Sequence, residues 1–279
     1  MRDGTPPVAA PAPRRFNRAL VLLISVLCLW MILQAVLGGA DGPDFASLFE
    51  AAPKLVRGFG LTLYISFVSV LIGSAIALLL LVGLMLPWPA FKRGLILWCI
   101  LFRGTPMIAQ LYLVYYGAGE IHGLLDRAHL WWFFREPLNC VMFTFVLNTS
   151  AYQARIIHGA VVNLPRELSD AAAALALPKS VTLLRILLPQ AMLTALRPLG
   201  NELTKMVKAS AVASLVTVLD LLGTAQSLFM ESFNFDFYIL AAMIYVLLLG
   251  GIRLAVDATE KQLSRHLAPV PDAPPLPRR

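Results

Sequence analysis

GFGLTLYISFVSVLIGSAIALLLLVGLML, Gly58 to Leu86, runs without a charged residue. About 20 apolar residues at helical rise cross the hydrocarbon core of a bilayer, so this stretch suffices for one span. The rest of the chain agrees with it. Of its 279 residues 58% are hydrophobic and 14% charged, and the mean hydropathy is +0.74. That composition defines an all-α integral membrane protein and not a soluble domain. The net charge of +7 accompanies these spans without a basic, aromatic-interleaved soluble module, which argues against a nucleic-acid partner. Cys28, Cys99 and Cys140 are odd in number and lie in apolar runs. They read as packing residues and not as a disulfide or metal framework.

Outward from Gly58 to Leu86, five more stretches are long and apolar enough: Ala19 to Leu37, Leu95 to Gly117 (interrupted by Arg103), Leu138 to Ala154, one between Arg197 and Met230, and Phe235 to Ile252. The expectation is therefore about six transmembrane helices. Eighteen of the 23 Lys and Arg residues fall in the N-terminal segment, the Lys92/Arg93 turn, the segment from Arg155 to Lys208 and the tail from Arg253. By the positive-inside rule these segments, and both termini, are cytoplasmic. Arg14 and Arg15 before an apolar run, with Gly38-Gly39-Ala40 after it, also fit a cleaved signal peptide. The run is longer than the usual apolar core of such peptides, and a retained span is expected. The Pro- and Ala-rich ends, 1–18 and 266–279, carry too little apolar surface to fold and read as disordered tails.

The longest cytoplasmic connection of the core contains SDAAAALALPKSVTLLRILLPQ, Ser169 to Gln190. Asn163-Leu164-Pro165-Arg166-Glu167 reads as a helix start, with acids near the positive helix end. Leu164, Leu168, Ala172 and Leu175 recur as one apolar face, Pro178 ends the helix, Ser180 can cap a second, and Pro189 closes it. The result is an elbow of two short helices, about 163–190, presenting small alanines outward. By pattern alone two readings stand: a helix that docks into a partner's groove, or an amphipathic helix lying on the lipid surface.

This elbow resembles the "EAA" loop of the membrane subunits of bacterial ABC importers, with Asp170, Ala171, Ala172 and Leu188-Pro189 at the matching positions and Ala176 where that loop has glycine. Because alanine adopts a left-handed turn less readily than glycine, Pro178 is expected to move the break two residues later. FRGTPMIAQLYLVYYG (Phe102 to Gly117), LNTSAYQARIIHGAVVNLP and PLGNELTKMVKASAVASLV resemble segments of the polar amino-acid importers, in order, over Gly58 to Arg265. EPLNCVMFTFVLNTSAY and GNE look most like the membrane subunits of the histidine/lysine/arginine/ornithine and opine importers. Arg155 and His158 depart from the usual pattern, so a salt bridge expected there is lost or reversed.

The resemblance implies a layout of an extra N-terminal span and external loop (19–57) before a five-helix importer domain (58–265). It implies a multi-pass protein of the bacterial inner membrane, with two partner ATPase subunits, a second membrane subunit of the same or a homologous chain, a periplasmic binding protein and surrounding lipid. The substrate expected is a polar amino acid, with basic ones or opine-like derivatives foremost. No G-x-x-x-x-G-K-[ST] loop occurs, so ATP and magnesium belong to the partner and this chain is not an enzyme and carries no cofactor. Glu167, Asp170, Ala171, Ala172, Ala176 and Leu177 are the expected coupling contacts.

An ionisable residue in a span is costly and by default faces the bundle interior. Asn201, Glu202, Lys205 and Lys208 form the densest such cluster, with Asn201 and Glu202 expected on the translocation path. The plainer reading is an ion pair between Glu202 and Lys205, one helical turn apart. Gln110, Asn148 and Tyr152 could face substrate or merely bond a neighbouring helix. Arg103 could touch a substrate carboxylate, but beside Thr105 and Pro106 it reads as structure at a bend. HLWWFFREP, His129 to Pro137, reads as an aromatic belt at the external interface. A passive channel would explain the spans but not the elbow. A membrane enzyme fits less well, because His122, His129, His158 and His266 lack metal-ligand spacing.

Overall fold

The computed structural model describes residues 45–265, together with Ser25, Val26, Cys28, Leu29, Trp30 and Ile32. Apart from those six positions, the first candidate span, its retention or cleavage, both tails and His266 lie outside the described residues. The described residues form helices, turns and bends and contain no strand.

Helix α1 (Phe45–Met85) contains the opening stretch except its last residue, Leu86, and extends it by more than a dozen residues at its N-terminal side, through Pro53. At 1.5 Å per residue it is about 60 Å long, twice the thickness of a hydrocarbon core. Its buried positions, among them Gly58, Thr62, Ser66, Ser69, Gly73 and Ala77, recur every three or four residues and are small. Phe67, Leu71, Leu79 and Val82 point outward. Small residues on one stripe let another helix come close, which is how helices associate where lipid removes the hydrophobic drive. The partner is α6 (Pro137–Val162), whose packing on α1 is the most extensive in the chain. At Gly73 a Cβ would lie 3.3 Å from the Ser150 backbone nitrogen.

The stretch expected as one span at Leu95 to Gly117 is two helices, α2 (Pro89–Gly104) and α3 (Met107–Glu120), bent by 101°. Pro106 cannot donate a hydrogen bond and forces Thr105 out of helical geometry, to φ −107° and ψ 145°. Two short helices, α4 (His122–Arg127) and α5 (Trp131–Phe134), lead to α6. In the aromatic run Trp132 is exposed, while the Phe134 ring packs at 5.3 Å on Phe143. Cys99 and Cys140 are buried free thiols, and Cys28 is exposed.

By length and hydropathy α1 and α11 (Asp236–Arg265) each suffice to cross a membrane, and two bent pairs suffice when each is taken as one span. One pair is α2 with α3. The other joins residues Lys179–Val216 to α10 (Leu221–Ser232) at 47°. α6 has the length but a lower hydropathy, because it packs against α1, α2, α3 and α9 (Leu188–Ala209) and buries Thr144, Asn148, Thr149, Ser150 and Gln153 among them.

The elbow differs from its expected outline in three ways. Its first helix, α7 (Arg166–Ala174), ends before Pro178: Ala176 itself takes the left-handed conformation, φ 52°. The Leu177 N–H donates to the Ala172 carbonyl and the Ala176 N–H to the Ala173 carbonyl, the paired bonds of a Schellman ending with alanine in the glycine position. Second, Pro189 closes nothing. From α8 (Lys179–Val181) the coil widens into a π-helical turn, Thr182–Leu187, and continues through Pro189 and Pro198 as α9. The wider turn lies where the proline ring would crowd an α-helical carbonyl. Third, Ala172 is 2% exposed while Leu175 is 73% exposed. Ala172, with half-buried Leu168, thus forms the inner side of α7, Leu164 is half-buried just before the helix, and Leu175 leaves the expected apolar face because the helix ends there.

Candidate translocation site

The break between α2 and α3 leaves carbonyl groups at the end of α2 without helical partners, a serious cost away from water. Two buried amides meet that need. Gln110 Nε2 donates to the carbonyls of Phe102 and Thr105 at 2.9 and 3.1 Å and to Thr105 Oγ1 at 2.7 Å. Asn148 Nδ2 donates to the same Phe102 carbonyl at 2.8 Å and to Gln110 Oε1 at 3.1 Å. Gln110 and Asn148 therefore bond neighbouring backbone, the plainer of their two readings. Asn148 Oδ1 is nevertheless buried with no hydrogen-bond partner among the described residues.

One turn along α6, Tyr152 lies between two cations. Lys205 Nζ sits 3.0 Å from its ring centroid and the Arg103 guanidinium 5.1 Å away. The Tyr152 hydroxyl donates to the Arg103 carbonyl at 3.2 Å, which ties α6 to the break. A cation over an aromatic face is attracted by the ring quadrupole, more strongly where water is excluded. Lys205 also pairs with Glu202 at 3.0 Å. The ion pair read from the sequence is present, but Glu202 is 5% exposed and its Oε1 has no hydrogen-bond partner among the described residues. Glu202, Lys205, Tyr152, Arg103 and Asn148 thus join in one polar patch where α9 meets α6 and the break.

Asn201 and Lys208 do not join it. They lie on another face of α9, along a cleft against α11. The cluster that is continuous in sequence is divided between two sites by the turn of the helix.

Asp220 is a functional-looking acid that the sequence reading missed. It is fully buried, and three hydroxyls donate to its Oδ2: Ser210 at 2.9 Å, Tyr245 at 3.0 Å and Thr62 at 3.3 Å. Its Oδ1 accepts the Gly223 N–H at 2.9 Å, so Asp220 also caps α10. Thr217, at φ 64°, reverses the chain from the 3-10 turn Ser210–Val216 toward it. The available signal was the Asp-Leu-Leu-Gly start of an apolar helix. Among the described residues no group of His, Cys, Asp and Glu could hold a metal ion.

Bent and continuous apolar helices with a buried polar patch at a broken helix pair fit a helical membrane transport subunit. Residues 82–265 match the model of the family described as "Binding-protein-dependent transport system inner membrane component", and the chain belongs to that family. Among curated proteins it is similar to the nopaline transport system permease protein NocM of Agrobacterium fabrum, 28% identical over 225 residues that cover 80% of this chain and 93% of that one. It is 31% identical over 215 residues to the arginine ABC transporter permease protein ArtM of Haemophilus influenzae, covering 77% and 94%. Among solved structures, an amino acid ABC transporter crystallised with histidines superposes at a TM-score of 0.71, with 25% identity over 79% of this chain and 99% of that one. The MetNI methionine ABC transporter in an inward-facing conformation superposes at 0.63 with 22% identity, over 75% and 95%, a likeness of fold. The expected all-helical membrane fold and amino-acid ABC permease identity are thereby met, and nothing in these likenesses favours a passive channel.

Proposed function

We propose that this chain moves basic amino acids, or opines built on them, across the inner membrane by alternating access, and that the patch around Tyr152 receives the substrate on its way. The observation that carries this reading is the pairing of two buried, unmet acceptors, Glu202 Oε1 and Asn148 Oδ1, with two cations on one aromatic ring. A cationic side chain needs the acceptors, and a substrate carboxylate needs Arg103 or Lys205. The arginine and nopaline permeases among its relatives support the same substrate class. Asn201 lies outside this patch, and Gln110 acts by holding the break open.

ATP and magnesium sit on two partner ATPase subunits, and a periplasmic binding protein delivers substrate to this chain paired with a second membrane subunit. The exposed side of the elbow, with Glu167, Asp170, Ala171 and Ala176, enters a groove on an ATPase; Ala172, inside, and Leu177 hold the elbow's shape. Because the π turn and α9 continue the elbow into the membrane, ATPase closure turns the helix that carries Glu202 and Lys205. Both termini face the cytoplasm, and a retained N-terminal span makes six in all.

The test is uptake of arginine, lysine, histidine and glutamine by the reconstituted importer carrying Glu202→Gln, with assembly and basal ATPase activity checked. A charge-assisted hydrogen bond is worth about 1.5–3 kcal/mol, so basic substrates should fall roughly ten- to a hundredfold and glutamine less. Equal losses for all four would make Glu202 a purely structural partner of Lys205.

A further inference from the structure

The cleft between α9 and α11 is lined by none of the residues of the patch around Tyr152. It holds about 850 Å3 between α9 and α11, with Ser25 of the N-terminal segment on its wall. That volume lies in the range of sites for drug-sized ligands, about 300–1,000 Å3. Its lining has two characters. Val246, Leu249 and Leu254 make an apolar wall, and Arg197, Lys208 and Arg253 supply three cations.

The two helices run antiparallel here: Arg197 bonds Glu260 at 2.5 Å, and a Cβ on Gly200 would lie 2.6 Å from Val256. Arg197 is thus neutralised by Glu260, and Asp257 faces the cleft near it. Lys208 and Arg253 have no carboxylate within ion-pair distance among the described residues. By the same register Lys208 lies ~7 Å deeper along the helices than Arg253. Arg253 is the first charged residue after the uncharged run 237–252 of α11, at the side expected from the sequence to be cytoplasmic, so the two cations step from the membrane surface into its first turn of depth. An unpaired cation at that depth is costly unless an anion meets it or it reaches the surface.

From this arrangement we infer that the cleft is a binding site for an anionic phospholipid of the cytoplasmic leaflet. Its phosphate lies between Lys208 and Arg253, and an acyl chain runs along Val246 and Leu249. Basic pockets between membrane helices on that side are suited to such headgroups. A free phosphate would satisfy the cations but leave the apolar wall bare, and a second copy of this chain would have to bring an acid to the same place.

The experiment is quantitative lipid analysis of the full chain purified in mild detergent, followed by titration of the delipidated protein with phosphatidylglycerol and, separately, phosphatidylcholine. The wild type should retain phosphatidylglycerol and prefer it over phosphatidylcholine. Lys208→Gln with Arg253→Gln should weaken that binding about thirtyfold, from roughly 1 kcal/mol for each cation near an anionic surface. Lys92→Gln with Arg93→Gln, an equal charge loss at the exposed turn before α2, should leave it unchanged. Thr204→Phe fills the cleft without removing a charge and should also expel the lipid, which keeps the test decisive if the double variant folds poorly. Equal binding of the two lipids, equal loss in both double variants, or displacement of bound lipid by millimolar inorganic phosphate would overturn the inference. So would efficient cross-linking of two copies through Arg253→Cys, since a second copy would then cover the cleft.

Discussion

Ala176→Gly should make the elbow more stable and slow its local opening. Alanine at φ 52° carries the penalty of an L-residue in the left-handed region, about 1–2 kcal/mol. Glycine removes that penalty but loses more freedom on ordering, about 0.5–1 kcal/mol. The net gain is therefore ~0.5–1 kcal/mol, because the bonds of the ending, Leu177 N–H to Ala172 and Ala176 N–H to Ala173, survive the change. Exchange of the amides of Leu175, Ala176 and Leu177, measured by mass spectrometry on the peptide covering 166–180 in a nanodisc, should slow by about two- to fivefold. Ala176→Val should move it the other way by at least as much, since a β-branched residue fits a left-handed turn worse than alanine. Slower exchange in the valine variant, or no change in either, would refute the left-handed ending and restore the break at Pro178.

Three further outcomes follow from the geometry. Asp220→Ala leaves three hydroxyls and the Gly223 N–H without their acceptor and should cost about 3 kcal/mol or more, read as a large loss of thermal stability in detergent, whereas Asp220→Asn should lose less. Gly58→Ala brings a methyl group against Thr224 and within 2.9 Å of the Asp220 carbonyl, so it should destabilise by about 1–3 kcal/mol in the same assay, with only partial rescue by Thr224→Ala because the backbone contact remains. Ala171→Arg, on the exposed side of α7, should abolish co-purification of the ATPase while leaving chain stability unchanged, and Ala172→Arg, on the buried side, should lower both.

Composition and uncharged length made the membrane class legible, because a bilayer imposes its thickness on any chain that crosses it. The elbow was legible as an interruption too short to span. What pattern could not supply was backbone continuity across proline. Pro178 and Pro189 each looked like a stop, yet Pro178 only precedes a helix and Pro189 lies within one, since a π turn ahead of it relieves the crowding. Pro106 does break its span, because there the chain turns by 101° and Gln110 and Asn148 supply donors to the freed carbonyls. Those donors come from 8 and 46 residues away. The information that separates Pro106 from Pro178 and Pro189 is tertiary.

The same limit explains two of the buried acids. Glu202 and Asp220 are each a single carboxylate within or beside an apolar run, and the sequence drew attention to Glu202 only because lysines surround it. The structure separates them by completeness. Asp220 receives donors on both oxygens from α1, the 3-10 turn, α10 and α11, so its charge is spent on joining four elements and no ligand can use it without taking them apart. Glu202 has one oxygen on Lys205 and the other unmet, beside a lysine that is itself shared with Tyr152. A buried group left short of a partner pays a standing cost, which a ligand can relieve. Between these two buried acids, the unsatisfied one is the candidate for the substrate contact proposed above, and the satisfied one is a fixed joint between four elements.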